Sequence, residues 1–210
     1  ANFVRGQYDA GDGTEAYRSA DGVDPESGTE TFVAAKLLFD NYRWSGVPFY
    51  VRTGKKLADK FTRIDVVFKK PLIDIFADPR NESDQSLNSN VLTIFVEPKS
   101  GFAMQLNAKR AGQGFTTQPV DLKYLQSDSD KKESPEPYER LFHDALEGNH
   151  TNFASWAEIA YAWKFVDVIR KLWDIEKPQF PNYTPGSMGP AASDELLARD
   201  GRKWVYRLNH

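Results

Sequence analysis

Apolar residues recur at alternate positions, or in short runs, along most of the chain between residues 31 and 125. In the segment TRIDVVF, Ile64, Val66 and Phe68 share one face and Arg63 and Asp65 share the other, as in a half-exposed strand. Comparable patterns predict strands at residues 31–39, 47–53, 62–68, 90–98, 102–110 and 119–125. A short strand-like start at residues 3–8 precedes an Asp-, Gly- and Ser-rich loop. The later connections are too short for crossover helices, so we expect a largely antiparallel sheet.

Helical periodicity appears only in the last third of the chain. Residues 127–137 predict a polar loop, followed by helices at 138–148, 152–174 and 192–201. The apolar stripe of the middle helix, including Trp156 and Trp163, should pack on the sheet. Residues 177–190 hold four prolines and two glycines, so they cannot form regular structure. The predicted fold class is α+β, a large, mostly antiparallel sheet with helices packed at one end or face.

Composition narrows the possible functions. The 210 residues are 40% hydrophobic and 27% charged, with no cysteine and a formal net charge of −3, as in a globular chain with one sizeable domain or two small ones. The acidic balance argues against a nucleic-acid partner, and no apolar run is long enough to span a membrane. No secretion signal is visible at the start, and the lack of cysteine fits a cytoplasmic location. The three histidines lie far apart, without metal-ligand spacing.

Positive charge is concentrated between two predicted strands. Residues 52–70 carry seven Lys or Arg against two Asp. Gly54 permits a tight turn directly before Lys55, and Lys60 lies at the other end of the same connector. Two ammonium groups so placed could meet one phosphate or another small anion. The alternative is an ordinary solvated hairpin, and the spacing matches neither a Walker A loop nor a Rossmann glycine pattern.

Two further side chains are weaker candidates. Glu97 ends an apolar strand, where a carboxylate can point into a site, although most such glutamates are simply exposed. Tyr138 begins a helix after two prolines, where a core or capping role is the default. His143 lies beside Asp144 in the same helix, without a catalytic motif around it. From the residues alone, no reaction mechanism is identified.

The segment RWSGVPFYVRTGKKL, residues 43–57, resembles the R-W-x-G-V-P-F-x-x-R-x-G-K-x-L signature of the glucose-6-phosphate dehydrogenase C-terminal domain family. The resemblance continues through PEPYERLFHD, SWAEIAYAWKFVD and GSMGPAASDELL to Trp204, in the same order along the chain. In detail, FVRGQYDAGD, IDVVFK, LNAK and NFASW are similar to the enzymes of lactic acid bacteria. We therefore expect residues 1–210 to be a substrate-binding and dimerising C-terminal domain.

The resemblance implies an activity for a longer protein. Such enzymes oxidise glucose 6-phosphate to 6-phosphogluconolactone with NADP or NAD, the first step of the oxidative pentose phosphate pathway. The family's R-I-D-H-Y-x-G-K stretch, its general-base histidine and its N-terminal Rossmann domain are absent from this sequence, so the chain should be inactive alone. Lys55 and Lys60 match basic positions that contact the sugar phosphate in the family. Glu97 and Tyr138 match positions near the sugar.

The resemblance also predicts what the domain binds and what it does not. Animal members hold a second, structural NADP through basic and aromatic residues. Several of the matching positions here are not basic, namely Phe61, Asp65, Phe95, Gln105 and Met188. We therefore expect no nucleotide on this chain, even though Trp204 is kept. The family dimerises through its broad sheet, which predicts a homodimer. A stand-alone oligomerisation module and a binding module for anionic sugars remain alternatives.

Overall fold

The chain passes through two structural units and returns to the first. The computed structural model describes residues 2–73, 87–112, 116–133, 135–176 and 178–205. The first unit comprises Ala1–Asp59 and Asn152–His210, and the second comprises Lys60–Thr151. The elements are β1 (Phe3–Gly6), β2 (Phe32–Leu38), β3 (Pro48–Gly54), β4 (Thr62–Val67), β5 (Val91–Glu97), β6 (Gly101–Lys109), β7 (Thr117–Leu125), α1 (Asp128–Glu133), α2 (Pro137–Leu146), α3 (Trp156–Ile175) and α4 (Ala192–Ala198).

The first unit is built on a three-stranded antiparallel sheet in the order β1-β2-β3. Its core gathers the buried side chains of Phe32 and Ala34 from β2, Tyr183 from an irregular segment, and Leu196 and Leu197 from α4. Alternation along β2 therefore sends one face inward, where α4 covers it. Burying this apolar surface is the main source of the unit's stability.

Phe32 occupies the middle of that core, with 1% of its surface exposed. Its neighbours in the sheet register are Gly6 on one side and Gly54 on the other. A Cβ added at Gly54 would lie 2.7 Å from Cδ2 of the ring, so the absence of a side chain makes room for the phenyl group. Gly54 directly precedes Lys55 and Lys56, which form the basic turn. Packing in the core therefore fixes the backbone position at which this turn begins.

The second unit contains a four-stranded antiparallel sheet in the order β4-β5-β6-β7. One of its faces is buried at Val91, Thr93, Phe95 and Ala103. The register brings an apolar row across the opposite face, one residue from each strand, namely Ile64, Ile94, Phe102 and Tyr124. A second row on that face comprises Val66, Leu92, Met104 and Leu122. We call these eight residues the exposed apolar face; six of them expose more than a third of their surface.

The predicted helices form, with two differences. The polar loop predicted over residues 127–137 is wrong because residues 128–133 form α1. Its start is capped by Ser127, whose Oγ accepts from the backbone N–H of Asp130 at 3.1 Å while a carboxylate oxygen of Asp130 accepts from the N–H of Ser127 at 3.2 Å. This reciprocal pair satisfies two backbone donors that a helix start leaves free.

The expectation that the middle helix packs along the sheet is also wrong. α3 begins at a capping box between Ser155 and Glu158, but none of its 20 residues is buried. It meets the first unit's sheet near its end, where the Trp173 ring lies edge-on to Phe3 at 6.4 Å. Arg5 donates to the Trp173 carbonyl at 3.1 Å and forms a 2.6 Å ion pair with Glu30. The helix is thus held near its C-terminal end.

The α+β class and the antiparallel pairing are confirmed. The expectation of one large sheet is corrected to two sheets among the described strands. Residues 202–205 belong to no helix or strand. No described helix combines the length and apolar character needed to cross a membrane.

Candidate functional site

Lys55 lies in a turn that directly follows β3. Its backbone N–H donates to the Thr31 carbonyl at 2.8 Å, which continues the β2–β3 pairing one step beyond the strand. The next residue, Lys56, has a left-handed backbone conformation with φ of 53°, which is costly for a residue with a side chain. Its carbonyl accepts from the N–H of Gly186 at 2.9 Å. The turn is therefore fixed by its hydrogen bonds, although its side chains are exposed.

The Pro- and Gly-rich segment before α4 supplies the other contacts to this turn. Tyr183 places its phenol oxygen 2.9 Å from the Lys55 carbonyl, and the backbone N–H of Ala58 donates to Ser187 O at 2.9 Å. Leu57 packs against the core between these two points. Burial raises the pKa of the Tyr183 phenol, although its hydrogen bond to Thr31 acts in the opposite direction. The phenol therefore stays protonated, and able to donate, at neutral pH.

The Lys55 side chain is available to a ligand. Lys55 is exposed, and none of the described carboxylates forms an ion pair with it. A free ammonium on a rigid turn can bind a phosphate without first breaking an ion pair. This geometry suits anion binding, and the placement of Lys55 after Gly54 agrees with the turn predicted from the sequence.

Lys60 and Glu97 lie in the second unit, at one end of its sheet. Thr62 begins β4 opposite Glu97, the last residue of β5, and Lys60 precedes Thr62 by two residues. Both Lys60 and Glu97 are exposed, and no ion pair joins either of them to another described residue. The structure thus brings these two predicted residues to the same sheet end, with opposite charges available to a ligand.

Tyr138 is placed differently. It lies in the first turn of α2 and exposes 76% of its surface. Its hydroxyl makes no hydrogen bond to any part of the chain that the structure describes, so neither the core role nor the capping role applies. In the same helix, His143 approaches Glu147 at 3.6 Å, an exposed pair one helical turn apart. Among the described residues, no hydrogen bond or ion pair links Tyr138 with Lys60 or Glu97.

Tyr183 and Thr31 are the site residues that the sequence reasoning missed. Tyr183 lies in a segment that the sequence predicts to be irregular, and the sequence predicts Thr31 only as the start of a strand. A signal was present: a single tyrosine among prolines and glycines has few ways to satisfy its hydroxyl if the ring is buried. Its partner is the backbone carbonyl of Lys55, 128 positions earlier. Because every residue type has this carbonyl, the sequence does not indicate the pairing.

Phe61 and Asp65, two of the positions that the resemblance matches to the second nucleotide of animal members, take part in other interactions. Asp65 forms a 3.0 Å ion pair with Arg63 and accepts from the Thr93 hydroxyl at 2.7 Å. The Arg63 guanidinium also lies over the Phe61 ring, 4.8 Å from its centroid. A carboxylate at this position repels a phosphate and holds the nearby cation. Phe61 and Asp65 are therefore already engaged within the second unit.

Trp204, in the first unit, is also engaged. Arg52 lies over its ring at 4.4 Å, and the indole N–H donates to the Ser193 carbonyl at 3.2 Å. One face of the indole is therefore covered by a side chain of the same unit. Within the described ranges, no group of three His, Asp or Glu side chains could hold a metal ion.

Comparison with known proteins identifies the family to which the chain belongs. The family model for the glucose-6-phosphate dehydrogenase C-terminal domain matches residues 1–205. Glucose-6-phosphate 1-dehydrogenase of Bacillus subtilis (strain 168) is 48% identical over 206 residues, covering 96% of this chain and 41% of that protein. The enzyme of Leuconostoc mesenteroides is 45% identical, covering 98% of this chain and 41% of that protein. The chain thus spans about two fifths of the length of these relatives.

Solved structures show the same fold. The crystal structure of glucose-6-phosphate 1-dehydrogenase from Mycobacterium avium aligns with a TM-score of 0.77 at 28% identity, over 99% of this chain and 40% of that one. A glucose-6-phosphate dehydrogenase in complex with its substrate glucose-6-phosphate aligns with a TM-score of 0.79 at 28% identity, over 97% and 41%.

Proposed function

The chain belongs to the glucose-6-phosphate dehydrogenase C-terminal domain family, and from this premise we propose that the complete protein oxidises D-glucose 6-phosphate to 6-phospho-D-glucono-1,5-lactone. The observation that carries the proposal is the 48% identity to a glucose-6-phosphate 1-dehydrogenase over 96% of the chain. The reaction opens the oxidative pentose phosphate pathway. A cytoplasmic location belongs to the same proposal and is supported by the absence of cysteine.

The proposed role of this domain is to bind the substrate by its phosphate. Lys55 and Lys60 each contact glucose 6-phosphate through their exposed ammonium groups. The phosphate lies at the opposite end of the sugar from C1, the carbon that is oxidised. Binding energy from that remote group fixes C1 for reaction, which lowers the barrier. Glu97 and Tyr138 are proposed to contribute polar contacts to the sugar.

The chemical step needs groups from outside this chain. A bound NADP or NAD would supply the hydride acceptor for C1, and we propose that an N-terminal Rossmann domain provides its site together with the general base. The 210-residue chain by itself is therefore expected to be inactive.

Homodimerisation through the four-stranded sheet is a further part of the proposal. The exposed apolar face has two uncovered rows that cross all four strands, and an apolar patch of this kind marks an interaction surface. A second copy of the same face would bury both rows, as an isologous interface requires. Its edge strand β7 carries Pro119, which discourages pairing through the edge and favours the face.

Kinetics on the complete protein test the substrate assignment. Lys60→Ala should raise the KM for glucose 6-phosphate roughly 10- to 100-fold, since it removes a charge-assisted hydrogen bond, with far less effect on the KM for the nucleotide. Lys69→Ala is the matched control, because Lys69 is an exposed lysine of the same unit. An unchanged sugar-phosphate KM for Lys60→Ala would contradict the assignment.

A further inference from the structure

The hydroxyl of Tyr183 stands in a buried row of hydrogen bonds that ends on the backbone of Lys55. The backbone N–H of Tyr8 donates to Thr31 Oγ1 at 3.0 Å, and Thr31 Oγ1 lies 2.9 Å from the phenol oxygen. The phenol oxygen in turn lies 2.9 Å from the Lys55 carbonyl. A phenol has one proton to donate. The phenol oxygen also lies 3.1 Å from the Thr31 carbonyl. With the phenol proton on the nearer acceptor, the Lys55 carbonyl, the Thr31 hydroxyl donates to the phenol, and each group in the row has a partner.

The position of this hydroxyl is set by a rigid ring. Tyr183 is 5% exposed and packs against the rings of Phe32 at 5.7 Å and Tyr8 at 6.3 Å. Gly6 lies so close that an added Cβ would be 3.1 Å from the Tyr183 ring. A close-packed aromatic side chain has few alternative rotamers, so its oxygen is a fixed point in the unit.

The turn that receives the hydrogen bond needs such a fixed point. The peptide between Lys55 and Lys56 determines both where the Lys55 carbonyl points and the left-handed φ of Lys56. Rotation of that peptide would relieve the unfavourable conformation of Lys56, which persists only where its surroundings enforce it. It would also change the backbone orientation at Lys55 and thus the direction of the Lys55 side chain. The phenol opposes this rotation because it bonds the carbonyl that would have to turn.

We propose that Tyr183 is a positioning residue for substrate binding, acting through the Lys55 carbonyl to fix the direction in which the Lys55 ammonium meets the sugar phosphate. Tyr183 does not touch the substrate in this role. The inference rests on the proposed function, because it requires Lys55 to be a phosphate ligand. From its packing in the core, Tyr183 would be given only a structural role; the proposal adds a contribution to substrate binding.

The test is steady-state kinetics on the complete dehydrogenase carrying Tyr183→Phe, which removes the hydroxyl and keeps the ring. The KM for glucose 6-phosphate should rise about 5-fold, the effect of one ordinary hydrogen bond, while kcat and the nucleotide KM stay unchanged. The matched control is Tyr50→Phe, which removes a hydroxyl bonded to Asp200 in the same unit. That control should leave all three parameters unchanged, whereas an equal rise in its sugar-phosphate KM would show a general loss of packing and overturn the proposal.

Lys55→Ala separates this inference from the proposed function. If Lys55→Ala leaves the sugar-phosphate KM unchanged, Lys55 is not a ligand and both proposals about it fail. If Lys55→Ala raises the KM and Tyr183→Phe does not, the ligand assignment stands and the positioning role is overturned. The double variant should bind no more weakly than Lys55→Ala alone; additive effects would show that Tyr183 acts elsewhere.

A second variant covers the case in which Tyr183→Phe does not fold. Thr31→Val keeps the side-chain shape and the backbone bond to Lys55, but removes the hydroxyl that donates to the phenol. A smaller rise in the sugar-phosphate KM, about 2-fold, is expected because the remaining hydrogen bonds of the row are weakened. No change in the KM of a folded Thr31→Val protein would then overturn the positioning role.

Discussion

Gly189 faces the ring of Phe32 in the core of the first unit, and replacing it by alanine is a sharp test of that core. Its φ is +101°, a value that residues with side chains rarely adopt. A Cβ at this position would lie 2.3 Å from Cε2 and 2.6 Å from Cζ of Phe32. Both distances are far below van der Waals contact, so either the ring or the segment that carries Gly189 must move.

Two costs add in the Gly189→Ala variant. The unfavourable backbone conformation costs about 1 to 3 kcal/mol, and forcing an extra methyl into a packed core costs about 1 to 3 kcal/mol. Together they lower the free energy of unfolding by about 2 to 6 kcal/mol, a large share of a typical total of about 5 to 15 kcal/mol. Gly28→Ala is the control, because a Cβ there meets nothing within 4 Å and its φ is not left-handed.

Urea unfolding of the 210-residue chain, followed by far-UV circular dichroism, measures both variants. Gly28→Ala should match the parent protein or exceed its stability by about 0.4 to 1 kcal/mol. Adding Phe32→Leu to Gly189→Ala should restore part of the loss, since the shorter side chain gives the methyl room. The clash between Gly189 and Phe32 is refuted if Gly189→Ala unfolds at the same urea concentration as Gly28→Ala.

Two other predictions concern what the chain binds. NADP should leave the melting temperature of the 210-residue chain unchanged, because Asp65 is acidic where the resemblance predicts a basic phosphate ligand in animal members. Binding at 100 times the Kd would add about 2.7 kcal/mol to the free energy of unfolding and raise the melting temperature by about 5 to 10 °C. A saturable shift of that size would contradict the misfit. In the complete protein, Phe102→Glu on the exposed apolar face should raise the dimer dissociation constant at least about 10-fold in sedimentation experiments, since it buries a charge. Val51→Glu, at a half-exposed position of the other sheet, should leave it unchanged, and equal effects of the two changes would argue against this interface.

The strands were predictable because alternation states which side chains share a face. The row of Ile64, Ile94, Phe102 and Tyr124 follows from that pattern once the strands are paired. The pairing itself was not predictable. The short basic connector after β3 suggested a hairpin, yet β4 pairs with β5 and opens a second sheet. Strands pair through backbone hydrogen bonds, which every residue except proline can form. The two-residue alternation of side chains therefore does not determine which strand is the partner.

The candidate site was also predictable only in part: its charged side chains could be found from the sequence, but the contacts that position them could not. Lys55 could be found because it lies within the recognisable segment 43–57, and Lys60 because it follows that segment by three residues. Helix α1 could have been found as well, because Ser127 and Asp130 have the spacing of a cap. The link between Tyr183 and Lys55 could not, since it joins a side chain to a carbonyl in a tertiary contact. Any residue type at position 55 would present the same carbonyl.

The division of the first unit between the two ends of the chain has a consequence for biosynthesis. Lys55 and Tyr183 are 128 positions apart, and a ribosome adding roughly 5 to 20 residues per second takes roughly 6 to 26 seconds to cover that distance. Throughout this interval the nascent three-stranded sheet has no α4 or Tyr183 to cover Phe32. The second unit is translated whole in the meantime and is free to fold first. The order of synthesis thus leaves the basic turn to be completed last.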